Sequence, residues 1–128
     1  AATPYTWKLR PDATGRFEVG TPAIGAMHVL AQSLPYIRKL GVENIQAHRQ
    51  PMIKKLQQEM PRFGFGPLTP PESSSALVSF VVKDYQSVFQ RLRRGKVNVR
   101  LGRNFIRVSP SVFNDMNDID KLLEVLAG

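Results

Sequence analysis

From Leu77 to Leu126 the spacing of apolar residues switches repeatedly between period two and the helical period, so the chain must fold as short strands and helices sharing one core. Leu77 to Lys83 is a short β-branched and aromatic run closed by Asp84, which predicts a strand. Tyr85, Val88, Phe89 and Leu92 follow at i, i+3, i+4 and i+7, the spacing of a helix that Gly95 ends. Val97, Val99 and Leu101 then alternate, Gly102 to Asn104 form a turn, and Phe105 to Ser109 alternate again, which predicts a hairpin. Asn114 or Asp115 caps a last helix whose buried stripe is Ile119, Leu122, Leu123 and Leu126.

Upstream, Ala1 to Val19 has two prolines and little apolar periodicity, and reads as an extended arm. Thr21 is the expected N-cap, with Pro22 at the first helical position. Ile24, Met27, Leu30, Ala31 and Leu34 mark a helix expected to break near Pro35. After Gly41 a second stripe runs from Val42 through Ile53 and Leu56 to Met60, with a kink expected at Pro51 and a stop at Pro61. Arg62 to Ser75, rich in proline, glycine and serine, predicts a short strand or hairpin edge running into an exposed loop. The economical architecture is α+β, a two-layer sandwich in which helices cover a small, mainly antiparallel sheet of three to four strands. No internal repeat or second domain is needed.

The 128 residues suit one such core, and 42% hydrophobic with 22% charged residues is the composition of a chain that folds. Cysteine is absent, which excludes disulfides, thiolate metal sites and a cysteine nucleophile within these residues. The longest apolar run, Ala76 to Val82, is interrupted by Ser79 and falls far short of the roughly 20 residues that span a bilayer. The start resembles neither a signal peptide nor a native beginning, and is read as a cut made in a longer chain. A formal net charge of +8 would attract phosphates or nucleic acid, unless the balancing acidic residues lie in the rest of such a chain.

Two segments narrow the reading further. Arg16-Phe17-Glu18-Val19-Gly20-Thr21-Pro22 lies near the start. Near the end, Ile106-Arg107-Val108-Ser109-Pro110 is followed by Phe113-Asn114-Asp115 and by Asp118-Ile119-Asp120-Lys121-Leu122-Leu123. In this order and separation they resemble the class V aminotransferases, in which an RFE.GTP segment opens the small C-terminal domain and an R(V/I)SP…(Y/F)N…DID.LL segment closes it. The resemblance runs from Arg16 to Leu126 and extends to cysteine desulfurases, isopenicillin N epimerase-like proteins and kynureninases.

The resemblance implies a cytoplasmic homodimer that uses pyridoxal 5'-phosphate (PLP) on an amino-acid substrate by transamination, epimerisation or lyase chemistry. Residues 1–15 would be an arm bordering a large upstream domain, and residues 16–128 the small domain. The Schiff-base lysine, the aspartate on the pyridinium nitrogen and the aromatic residue stacked on the ring belong to the large domain in that family. The segment alone is therefore expected to be inactive and to hold no cofactor. The cysteine-bearing loop of desulfurases has no counterpart in the short turn from Gly102 to Asn104, which argues against desulfurase chemistry.

On the same resemblance Arg107 binds the substrate α-carboxylate, a role suited to its guanidinium fork. Alternation puts Ile106 and Val108 on one face and Phe105, Arg107 and Ser109 on the other, and a plain exposed sheet arginine is the simpler alternative. Gly20 and Thr21 are expected at the dimer interface, where Thr21 contacts the PLP phosphate held by the partner subunit. Arg16 and Glu18 are expected to support that segment structurally. His28 and His48 have no second ligand at i+3 or i+4, so no metal site is expected. Arg91, Arg93, Arg94, Lys96, Arg100 and Arg103 form a basic cluster without an aromatic stacking platform, which reads as a solvated helix end rather than a nucleic-acid site. The competing reading of the whole chain is a free-standing, basic, noncatalytic interaction domain.

Overall fold

The computed structural model describes residues 11–12, 15 and 20–128. Arg16 and Glu18, together with most of the expected N-terminal arm, lie outside the described residues. The chain divides into two compact units, Ala1–Lys39 and Leu40–Gly128.

A helix, α1, spans Ile24–Leu40, all but its last residue in the first unit. It passes through Pro35 rather than breaking there. Proline removes one backbone donor, and the residue whose carbonyl loses its partner, Ala31, is exposed, so water can satisfy it. Thr21 is not the cap: the amide of Met27 donates to the Ala23 carbonyl at 3.0 Å, so the helical ladder starts two residues after Thr21. No residue of α1 is buried, and Ile24, Met27, Val29 and Leu30 are each more than half exposed.

The second unit holds the core. Helix α2 (Val42–Glu59) starts after Gly41, whose φ of 84° lies in the left-handed region that favours glycine, and runs through Pro51 unbroken. A 3-10 turn at Met60–Phe63 ends it, with Pro61 inside and Gly64 left-handed behind. Strand β1 (Val78–Val81) leads to α3 (Tyr85–Arg94), capped by Asp84, whose carboxylate accepts from the Ser87 amide at 3.0 Å. Strands β2 (Arg100–Leu101) and β3 (Phe105–Val108) precede the last helix, α4 (Met116–Ala127).

The sheet is antiparallel in the order β1-β3-β2, the α+β arrangement that alternation predicts. Val78 pairs with Val108 and Phe80 with Ile106, and these four side chains make its buried face. Against it pack Met52, Ile53 and Leu56 of α2 and Ile119, Leu122, Leu123 and Leu126 of α4. Among the described residues no polar or charged side chain is buried, so apolar contact alone defines this interior.

Two expectations about strands need correction. Val97 and Val99 alternate like a strand but remain outside β2, because pairing to β3 covers only Arg100 and Leu101. Both are instead partly buried against the core. The strand expected between Arg62 and Ser75 is reduced to a single bridge from Pro67 to Phe80. The loop beyond it is tied to α2, where Gln46, Gln50 and Gln57 donate to the carbonyls of Pro70, Ser73 and Ser74.

The stop of α3 is shared between two residues. Lys96, with φ 53°, takes the left-handed position, its amide bonding Arg93 while the Val97 amide bonds Leu92, the two bonds of a Schellman motif. Gly95 has an ordinary φ of −73°. Its reason is space: a Cβ there would lie 2.3 Å from a methyl of Val125 on α4. Close packing of α3 on α4 therefore requires glycine at 95, not the turn geometry.

Candidate functional site

Strand β3 lies centrally in the sheet, and its alternation separates two tasks. Ile106 and Val108 are buried, whereas Arg107 and Ser109 are exposed on the opposite side. The anchoring of Arg107 by its two neighbours is therefore as alternation predicts. Register sets a row across that open face, with half-buried Ser79 on β1 beside Arg107 and exposed Arg100 on β2 beyond it. Directly paired residues share a face, with Cβ atoms roughly 4.5–5.5 Å apart. The turn that creates this register is tight: the Gly102 amide donates to the Phe105 carbonyl at 2.8 Å, and a Cβ at Gly102 would fall 2.3 Å from the Phe105 ring.

A groove of about 1050 Å³ adjoins Arg107 and Arg100. Tyr85 and Phe89 of α3, stacked at 5.9 Å between ring centres, contribute one wall, and the start of α4 contributes another. Arg93, Lys96 and Lys121 add positive charge to it. Among the described residues Asp118 is the one carboxylate lining it.

Asp118 is already engaged. It accepts from Asn114 Nδ2 at 2.9 Å and from the Asp115 amide at 3.3 Å, while Asp115 accepts from the amides of Asn117 and Asp118, a reciprocal capping box for α4. The Asn114 hydrogen bond first, then the Asp115 amide and the charge of Lys121, hold the Asp118 carboxyl below its ordinary value of 3.8. A carboxylate with a lowered folded pKa contributes stability that is complete above the ordinary value and is lost as pH falls through the lowered one. Acid should therefore loosen the start of α4. Asp118→Asn should flatten that part of the stability curve in urea titrations run across acidic pH, and an unchanged slope would remove Asp118 as its source.

Several residues of the second motif turn out to build this corner. Asn114 Oδ1 accepts from the Ser111 amide at 3.0 Å, and the Asn114 carbonyl bonds His48 Nε2 at 2.8 Å. His48 thus ties α2 to the loop before α4, and His28 bonds the Ile24 carbonyl inside α1. Among the described residues no cluster of three or more His, Cys, Asp or Glu side chains could hold a metal. The basic cluster also loses a member: Arg91 is half-buried, bonding Ser87 Oγ and the Leu126 carbonyl at the end of α4. Arg100 leaves that cluster too: in sequence it is one more basic residue after α3, and only the strand register sets it beside Arg107.

Gly20 and Thr21 are exposed, and Gly20 has φ 102° with open space where a Cβ would be. They precede the first turn of α1, where amides lack intrahelical acceptors, so donors suited to a phosphate are present. The basic residues of α1, Arg38 and Lys39, are in its last turn. The open space at Gly20 and the exposed start of α1 leave room for an anion there.

The sequence profile of the aminotransferase class-V family matches residues 5–122. This chain belongs to the class-V aminotransferase family. Among its relatives, a probable cysteine desulfurase of Pyrococcus abyssi is 28% identical over 87% of this chain and 32% of its own length. A probable cysteine desulfurase of Pseudomonas putida is 28% identical over 95% of this chain and 34% of its own length. The apo structure of a cysteine desulfurase from Thermococcus onnurineus NA1 superposes with a TM-score of 0.73 at 23% identity, covering 88% of this chain and 32% of that one, a likeness of fold. The chain thus spans about a third of the length of the relatives it matches. Among the described residues no helix of this class-V chain is long and apolar enough to cross a membrane.

Proposed function

We propose that this chain is the small C-terminal domain of a PLP-dependent, homodimeric class-V enzyme acting on an α-amino acid, with Arg107 as the clamp on the substrate carboxylate. The observation that carries this reading is the state of Arg107. Its strand is anchored by buried neighbours, the residue is exposed and lines a groove, and among the described residues no carboxylate pairs with it. A planar fork held this way suits bidentate binding of a carboxylate. Thr21 and the amides at the start of α1 would donate to the PLP phosphate of the partner subunit's active site, and Gly20 keeps that approach open.

PLP, when bound, supplies the electron sink that makes bonds at the substrate α-carbon labile. Transamination, epimerisation and lyase reactions all draw on that property. The relatives named above are cysteine desulfurases, but this chain has no cysteine, so a sulfur-accepting thiol would not come from it. The lysine that carries PLP is assigned to an upstream domain, and these residues alone would be inactive.

Absorption spectra with added PLP test the assignment. The full-length protein should develop the band of lysine-bound PLP, fixed by borohydride on a lysine outside this segment, while the 128-residue chain should show none. A specific band in the isolated chain, or none in either preparation, would leave a noncatalytic basic domain as the better description.

A further inference from the structure

The register of the β2–β3 pair sets Arg100 directly opposite Arg107. Like charges so placed repel, and such a pair lowers sheet stability unless something neutralises it. Both side chains are exposed, and among the described residues neither has an ion-pair partner, the pairs present being Lys55 with Asp120 and Arg62 with Glu59. Asp118, the nearby carboxylate of the groove, is committed to Asn114 and to the cap of α4. On the other side of Arg107 stands Ser79, a neutral hydroxyl. Of the two residues paired with Arg107, only Arg100 on β2 is charged.

One substrate carboxylate can occupy one guanidinium fork. It leaves the second arginine of the pair uncompensated. A substrate with a second acid group satisfies both forks and relieves the repulsion between them.

We propose that Arg100 is a specificity-determining residue that, beside Arg107, selects α-amino acids whose side chain carries a second anionic group. The inference rests on the reading of Arg107 as the carboxylate clamp. It adds a substrate class to that reading, the dianionic amino acids, and a residue that recognises them.

Titrations of the 128-residue chain with propionate and glutarate, followed by nuclear magnetic resonance at low salt, separate the possibilities. The Leu40–Gly128 unit has its own apolar core, and Arg100 is exposed, so its substitution should leave the fold intact. Glutarate should bind about tenfold tighter than propionate, the scale of one added charge-assisted hydrogen bond. Arg100→Ala should abolish that advantage while leaving propionate binding unchanged, and Arg100→Lys should recover part of it. Arg107→Ala should weaken both probes. Equal binding of the two anions by the native chain, or equal weakening of both by Arg100→Ala, overturns the inference and leaves the clamp standing. Binding of both probes undisturbed by Arg107→Ala, or no saturable binding of either, removes the clamp and the inference with it.

Discussion

Replacing Phe80 by alanine should cost this chain about 3–5 kcal/mol of folding stability, the range for removing a buried aromatic ring from a core. Phe80 is 1% exposed and sits in the middle of β1, paired with Ile106 on one side and bridged to Pro67 on the other. Its ring fills the layer between the sheet and the helices, in a core where Met52, Ile53, Leu56 and Leu126 are also fully buried. Domains of this size are stable by only about 5–15 kcal/mol, so the loss would be a large share of the total. Urea unfolding should show the midpoint falling with little change in slope, the behaviour of a destabilised but still cooperative fold. Phe113→Ala is the matched control. Its ring is 83% exposed, and its removal should change stability by no more than about 0.5 kcal/mol. Comparable losses at the two positions would mean that the core is not arranged around β1.

The contrast between these two phenylalanines also shows what sequence can and cannot reveal. Phe80 belongs to an alternating run, and period two is enough to put it on the same face as Val78 and to set Arg107 apart from Ile106 and Val108. The end helix was equally legible, because a capping residue and a clean apolar stripe agree on where it starts and which side is buried. Phe113 stands in a motif and carries no packing role in the described structure. Its neighbour Asn114 does, by bonding Ser111, Asp118 and His48 at once.

What escaped the sequence depends on residues distant along the chain. Gly95 reads as a helix stop, and α3 does stop there, yet the left-handed residue is Lys96 and the need for glycine comes from Val125, thirty residues later. Arg91 reads as one of several solvated cations until the end of α4 arrives to accept its hydrogen bond. Thr21 has the chemistry of an N-cap, but the ladder begins at Ala23, so local preference yields to the path of the backbone. The juxtaposition of Arg100 with Arg107 is of the same kind. Seven residues apart in sequence, they are opposed only because the turn at Gly102–Asn104 pairs Leu101 with Ile106.

Arg107→Ala in the full-length protein should weaken amino-acid binding by about 2–5 kcal/mol, the usual result of truncating one partner of a hydrogen-bonded charge pair. Folding should be nearly unaffected. The side chain is exposed, its strand is anchored by Ile106 and Val108, and its removal also relieves the repulsion from Arg100. PLP retention should likewise be unchanged, because Gly20 and Thr21, rather than Arg107, are the residues proposed for the phosphate. Arg107→Lys distinguishes charge from geometry: an ammonium preserves attraction but loses the fork, so an intermediate affinity is expected. Recovery of full affinity by lysine would reduce the role of Arg107 to electrostatic attraction. Unchanged affinity in the alanine variant would discard the clamp altogether and leave Arg107 as an ordinary exposed residue of the sheet. Loss of PLP together with substrate would point instead to a disturbed domain, which the urea midpoint of the same variant detects independently.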